Sequence, residues 1–171
     1  RYNINKKQSE VDEIRAQQLP LPPQDACLGA ELLAAATTLC KKNTIRLPET
    51  DEDIEIRQTS INASSVMPSN WEASKQRTLM MRPIFDPEIY GTIRFHHRSA
   101  REFLTAQWLL GILNSTIKAR GAVNKLLFAK KYGNHIAIPS MQPIAAWLAC
   151  WDKKIRDQLA SIAPEVLVEY G

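Results

Sequence analysis

The sequence predicts a mainly α chain with one small β hairpin, an α+β fold, and three observations carry that expectation. Apolar residues recur at helical spacing through most of the chain after residue 98. Thr92-Ile93-Arg94-Phe95-His96 alternates polar and apolar with the period of two of a half-buried strand. A second apolar piece, Ile84-Phe85, precedes it across Asp86-Pro87-Glu88 and Ile89-Tyr90-Gly91, which reads as a hairpin with a wide turn.

Residues 1–18 are polar, with weak helical spacing through Val11, Ile14 and Leu19, and are expected to form a helix or an ordered tail. Leu19-Pro20-Leu21-Pro22-Pro23 reads as a stiff extended linker, because each proline fixes its own φ and restrains the residue before it. Residues 1–24 are therefore set apart as tail and linker. Asp25 is the expected N-cap of an Ala- and Leu-rich helix over 26–42, with Lys41 and Lys42 at the end of the dipole that suits them. Residues 44–47 form a short strand stopped by Pro48. Residues 49–67 are acidic (Glu49, Asp51, Glu52, Asp53, Glu55) and then Ser/Asn-rich, and read as a long exposed loop. Ser69 and Glu72 have capping-box spacing and start a helix over 70–81, with Trp71, Leu79 and Met80 as core contacts. Helix, short strand, helix, hairpin is the order of a winged helix, placed at 25–113.

A second capping box, Ser99 with Glu102, opens a helix carrying Phe103, Leu104, Trp108, Leu109, Leu110, Ile112 and Leu113, which should be buried and central. From 114 to 171 the pattern reads as wholly helical and repeat-like. Residues 119–131 form one helix ended by Tyr132-Gly133-Asn134, Gly133 being the left-handed stop, and residues 135–139 are an apolar connector. Ser140 caps a helix with Ile144, Trp147, Leu148 and Trp151. Asp152 caps the next, with Ile155, Leu159 and Ile162, and Pro164 stands at the first position of a third. Three short helices in succession suggest stacked hairpins of the HEAT kind. Trp108, Trp147 and Trp151 read as packing residues.

With 44% hydrophobic and 23% charged residues in 171, the composition is that of an ordinary globular chain. No apolar run approaches the ~20 residues that cross a bilayer, so no membrane partner is expected. The N-terminus has no initiating Met and no apolar signal-peptide region. The expected location is cytoplasmic, and both ends read as cuts through a longer protein. Cys27, Cys40 and Cys150 include no C-x-x-C pair, and the three histidines give no zinc spacing. The thiols are expected buried and reduced, and no metal site is expected.

The net charge of +4 is unevenly spread. Residues 82–131 hold nine basic side chains against Asp86, Glu88 and Glu102, a net of +6. Such a stripe attracts nucleic acid or nucleotide phosphates, and is equally the pattern of a solvated face. No catalytic residue is expected. None of the six glycines precedes a lysine, so there is no P-loop, and no aliphatic run ends in Asp-Asp or Asp-Glu to hold magnesium. No G-x-S-x-G occurs. Instead, His97 and Arg98 sit just before a helix N-terminus, where unpaired N–H groups and the positive dipole end favour anions. With Arg94 and His96 they form a candidate phosphate contact.

This stretch carries a family resemblance. F-x-H-x-S-x-x-E-F-L-x-A, matched by Phe95, His97, Ser99, Glu102, Phe103, Leu104 and Ala106, resembles the segment closing the winged-helix domain of STAND NTPases, above all the NACHT group of immune and antiviral signalling ATPases. The run from Arg82 to Ser99 is similar to bacterial members. The resemblance covers residues 25–113, and 143–171 more loosely resembles the helical repeats that follow. It implies that His97 touches the phosphates of bound ADP and holds an inactive state closed; Arg98, beside it at the helix start, is the second candidate contact. It implies ATP/ADP as cofactor, with catalytic groups and Mg ligands upstream of Arg1. It also implies partners in the rest of its own NTPase chain, in a homo-oligomer on activation and in a protein ligand, viral in the antiviral members. The function so implied is a nucleotide-dependent switch in anti-phage defence. The alternative is a winged-helix nucleic-acid binder, whose groove-reading side chains would be Lys75, Gln76 and Arg77.

Overall fold

Pro22 and Pro23 set the start of α1 (Pro23–Leu39), the first helix among the described residues of a computed structural model that describes 21–48 and 54–170. The expected N-terminal helix over 1–18 and the acidic run 49–53 lie outside the described residues. Proline at the first helical position lacks only an N–H that would have no helical partner, so the helix begins there and not after Asp25. Asp25 is thereby moved from the expected N-cap into the first turn, where its carboxylate meets Lys75 Nζ at 2.7 Å. The other end closes as a Schellman motif. Lys42 N–H donates to Thr37 O (3.0 Å), Lys41 N–H to Thr38 O (3.2 Å), and Lys41 takes the left-handed conformation at φ 56°.

Strand β1 (Thr44–Arg46) follows as expected. The long loop expected over 49–67 is corrected: it contains helix α2 (Ile54–Thr59), strand β2 (Ser60–Asn62) and a 3-10 turn (Ala63–Ser65). Asn62 caps that turn by accepting from Ser64 N–H at 3.0 Å. β2 pairs in parallel with β1, an arrangement that needs a crossover, and α2 supplies it. The capping box expected at Ser69 is also corrected. Trp71 N–H donates to Pro68 O (2.9 Å), a turn that takes up Ser69 and Asn70, and helix α3 (Ala73–Met80) starts after Glu72. Trp71, Leu79 and Met80 are buried, as expected.

The expected hairpin is β3 (Phe85–Pro87) with β4 (Thr92–Phe95), Phe85 opposite Phe95. β4 also pairs antiparallel with β1, giving a mixed four-stranded sheet in the order β2-β1-β4-β3. Its register sorts the two faces. Ile45, Ile61, Ile93, Phe85 and Phe95 are buried on one face; Thr44, Arg46, Asn62, Asp86, Thr92 and Arg94 share the other. Helix α4 (Arg98–Ser115) follows β4 after two linking residues, His96 and His97. Arg101 N–H donates to His97 O (3.3 Å), so Ser99 lies inside the first turn and not at the cap expected for it. Of its apolar set, Leu104, Ala106, Leu109 and Leu113 are buried and Trp108 and Leu110 are half-buried.

The chain divides into two compact units, Arg1–Arg101 and Glu102–Gly171. In the second, the uninterrupted helical reading is corrected. Helix α5 (Ile117–Leu127), capped by Thr116 on Ala119 N–H, gives way to a β hairpin of β5 (Phe128–Lys131) and β6 (Asn134–Ala137). Gly133 is left-handed as expected, at φ 82°, but it closes a two-residue turn with Tyr132 at φ 50° instead of ending a helix. Helices α6 (Gln142–Trp151), α7 (Lys153–Ile162) and α8 (Pro164–Tyr170) then pack on one another, burying Ile144, Leu148, Ile155, Leu159 and Val166. Ser140 sits within a 3-10 turn (Pro139–Met141) and does not cap α6. Asp152 caps α7 as expected, accepting from Ile155 N–H at 2.9 Å. Phe103, Trp147 and Trp151 form one aromatic cluster, Phe103 edge-on to both indoles at 5.1 and 5.6 Å. The described chain is thus mainly helical with a small mixed sheet and a separate hairpin, consistent with the α+β expectation. Burial of the cysteines is corrected: all three are exposed free thiols.

Gly29 marks a close approach of α1 to the side chains of Leu79 and Trp71. A Cβ there would stand 2.5 Å from Leu79 Cδ2 and 2.9 Å from Trp71 Cη2, both in side chains that are themselves buried. Alanine would gain about 1 kcal/mol of helix propensity, but overpacking typically costs about 1–3 kcal/mol. Gly29→Ala is therefore expected to lower stability by about 1 kcal/mol net in denaturant unfolding, and a raised midpoint would contradict the packing described.

Asp152 also holds Arg120 through two bonds (2.7 and 3.0 Å), which keep its carboxyl below the usual carboxylate range. Its stabilising contribution is therefore present above the ordinary aspartate value of about 3.9 and lost as pH falls through the lower folded value. Asp152→Asn keeps a capping side chain and removes the charge. It should cost about 1–2 kcal/mol at neutral pH, and the gap from wild type should close on acidification, as followed by thermal unfolding across pH.

Candidate functional site

The site expected from the sequence is the corner between β4 and α4, and its geometry begins with the hairpin register. Phe85 and Phe95 pack with their rings tilted at 49° and centroids 4.8 Å apart on the buried face, which turns Asp86 and Arg94 together onto the outer face. Arg94 Nη1 meets Glu88 Oε1 at 2.9 Å, and its Nε lies 4.0 Å from Asp86 Oδ2. His96 Nδ1 lies 2.8 Å from the other oxygen of Asp86, and its backbone N–H donates to Ile84 O at 2.9 Å. The corner is therefore held by main chain and side chain alike.

A cleft of about 560 Å3 opens beside it, lined by Asn43, Arg94, Phe95, His96, Arg98 and Arg101. Arg101 Nη1 donates to Asn43 Oδ1 at 2.9 Å, which anchors one wall. A neighbouring cleft of about 710 Å3 shares Asn43 and Arg94 with the first and adds Lys41 and Lys42. Lys42 Nζ donates to Ser60 O at 3.0 Å, and Glu88 is the carboxylate on that wall. The two form one cationic trough along the outer face of the sheet. Guanidinium groups in such an arrangement suit phosphate and carboxylate, which they bind in bidentate fashion.

Of the two expected phosphate contacts, Arg98 lines the cleft. His97 is exposed, stands before the first turn of α4, and packs edge-on against His96 with ring centroids 4.1 Å apart. Ser99 and His97 are not hydrogen-bonded to each other, which gives no support to a serine nucleophile activated by this imidazole. Among the described residues, no three His, Cys, Asp or Glu side chains gather as a metal site requires, and no helix is long and apolar enough to cross a membrane.

Sequence reasoning missed Arg101, Asn43, Lys41 and Lys42 as lining residues. Asn43 and Arg101 are brought together only by the pairing of β1 with β4. The lysines were legible as helix-end charges, but the left-handed turn at Lys41 that places them beside β1 has no glycine to announce it.

In comparisons with protein-family models, curated proteins and solved structures, nothing matches the chain.

One arginine on the outer face stands apart. Arg46, in the middle of the sheet, is 7% exposed, and its Nη1 has no hydrogen-bond partner. Burying a guanidinium without full pairing is unfavourable, and an apolar side chain of similar length avoids that penalty. Arg46→Met is expected to stabilise the chain by about 1 kcal/mol, read as a raised midpoint in urea. A lowered midpoint would mean that the arginine is held by partners the fold does not show.

Proposed function

We propose that this chain is the regulatory winged-helix and first helical-repeat portion of a STAND NTPase of the NACHT type, a nucleotide-dependent switch in anti-phage defence. The observation that carries the reading is the cationic cleft at the β4–α4 corner, where Arg94, Arg98 and Arg101 face a space at a helix N-terminus. The succession α1, β1, α2, α3, β3, β4, with β1 beside β4, supports a winged helix, to which β2 is an addition. The three consecutive helices α6–α8 support the start of a HEAT-like array. In this reading the P-loop and magnesium ligands belong to upstream parts of the same protein, and this segment closes over bound ADP as a lid. His97 and Arg98 contact its phosphates. Opening frees the lid, and the protein oligomerises.

The nucleic-acid alternative is weakened by α3. Lys75 is paired with Asp25 and lies 4.4 Å over the Trp71 ring. Gln76 is 5% exposed, donates to Trp71 O at 3.0 Å and is bonded to Ser64 Oγ. Two of the three side chains expected to read a groove are thus engaged inside the fold.

A charged hydrogen bond contributes about 1.5–3 kcal/mol, which biases a closed-to-open equilibrium by more than about tenfold. In the intact NTPase, His97→Ala and Arg98→Ala should each reduce co-purifying ADP by about that factor and raise basal signalling. Nucleotide content and activity both at wild-type levels would reject the lid role.

A further inference from the structure

The hairpin β5–β6 has a tip whose residues are all exposed: Lys130, Lys131, Tyr132, Gly133, Asn134 and His135. Tyr132 is 92% exposed, more than any other large apolar or aromatic side chain among the described residues. It also occupies a position that its side chain disfavours. Both turn residues have positive φ, 50° at Tyr132 and 82° at Gly133, and such two-residue turns favour Asn-Gly or Asp-Gly. A bulky ring held in a left-handed conformation in open solvent does nothing for the fold. Strained positions of this kind concentrate where a ligand is met.

The surroundings of the ring are cationic. Lys131 Nζ lies 5.4 Å from the Tyr132 ring centroid. The register puts Lys130 beside His135 on one face of the ribbon and Lys131 beside Asn134 on the other, so positive charge borders the ring on both sides. Between Glu102 and Asp152 the sequence contains no acidic residue, while Lys118 and Lys125 on α5 add two further exposed charges. Arg120, the remaining basic residue there, is already paired with Asp152.

We infer that the β5–β6 hairpin is a contact site for single-stranded nucleic acid, with Tyr132 stacking on a base and Lys130 and Lys131 engaging the flanking phosphates. A single strand offers unstacked bases with free π-faces, which a lone exposed ring can cover, whereas duplex bases are already stacked. An anionic membrane fits less well, because the tip presents no aliphatic side chain to bury beneath the headgroups. The inference rests on the second unit alone and does not depend on the nucleotide switch proposed for the first.

The test is fluorescence anisotropy of a labelled oligothymidylate titrated with the full chain across salt concentrations. Wild type should bind at low salt. Tyr132→Asn should weaken binding about tenfold, and because it creates the favoured Asn-Gly turn its thermal midpoint should be equal to or above that of wild type. Tyr132→Phe, which keeps the ring, should bind as wild type does. Lys130→Ala/Lys131→Ala should flatten the slope of log K against log salt by roughly 1.4, the share of two phosphates on a single strand. No oligonucleotide binding at low salt would overturn the inference, and so would wild-type affinity in Tyr132→Asn. Binding to phosphatidylserine vesicles without binding to the oligonucleotide would also overturn it.

Discussion

The antiparallel pairing of β1 with β4, Ile45 opposite Ile93, is the joint on which the first unit depends. On one side it carries β2, on the other β3, and no strand of this sheet exceeds four residues. Strands this short do not hold themselves in pairs, and gain stability only as a set with one apolar face covered. Ile45 is fully buried at the centre of that face. Without the β1–β4 contact the sheet would fall into two marginal two-stranded pieces. The same register fixes the cationic trough. A slip of one residue in β4 would turn Arg94 and His96 inward and Ile93 and Phe95 out to solvent, so the buried face selects the charged one.

Charge compensation shapes what the trough can hold. Arg94 is already shared between Glu88 and Asp86, and Asp86 also engages His96. An incoming anion must compete with these carboxylates or add to a network that includes them. Exposed pairs of this kind are weak individually, which makes the corner open to exchange of partners. The second unit uses charge differently. Asp152 caps α7 and grips Arg120 at once, joining α5 to the α6–α8 packing through one half-buried carboxylate.

Much of this was legible in the residues, and the misses have particular causes. The β3–β4 hairpin was visible because Ile93 and Phe95 alternate with Thr92 and Arg94, and the apolar set Trp71, Leu79 and Met80 marked its own burial. β2 was invisible because three residues carry no periodicity, and its conformation is imposed by pairing with β1. Both capping boxes had the right spacing at the wrong frame, since Pro68 turned the chain before α3 and the strand exit at His97 began α4 early. Phe128-Ala129-Lys130-Lys131 has helix-forming residues and no alternation, and Tyr-Gly lacks the Asn or Asp that announces a tight hairpin. The cysteines were read from an apolar context, but Cys27 lies in the first turns of α1 and Cys40 at its C-cap, before and after the buried residues Gly29 to Thr37. Within the corner itself, the sequence placed Arg98 at the cleft, while the partnership of Arg101 with Asn43 required the tertiary fold.

The ribbon formed by β5 and β6 has a further consequence for behaviour in concentrated solution. Among the described residues it has two strands only, so each strand has one edge that no further strand pairs. Lysines near a strand edge hinder such growth, because a second copy in register would bring like charges within a few ångströms of one another. Lys130 and Lys131 place two such charges at the end of β5 next to the turn.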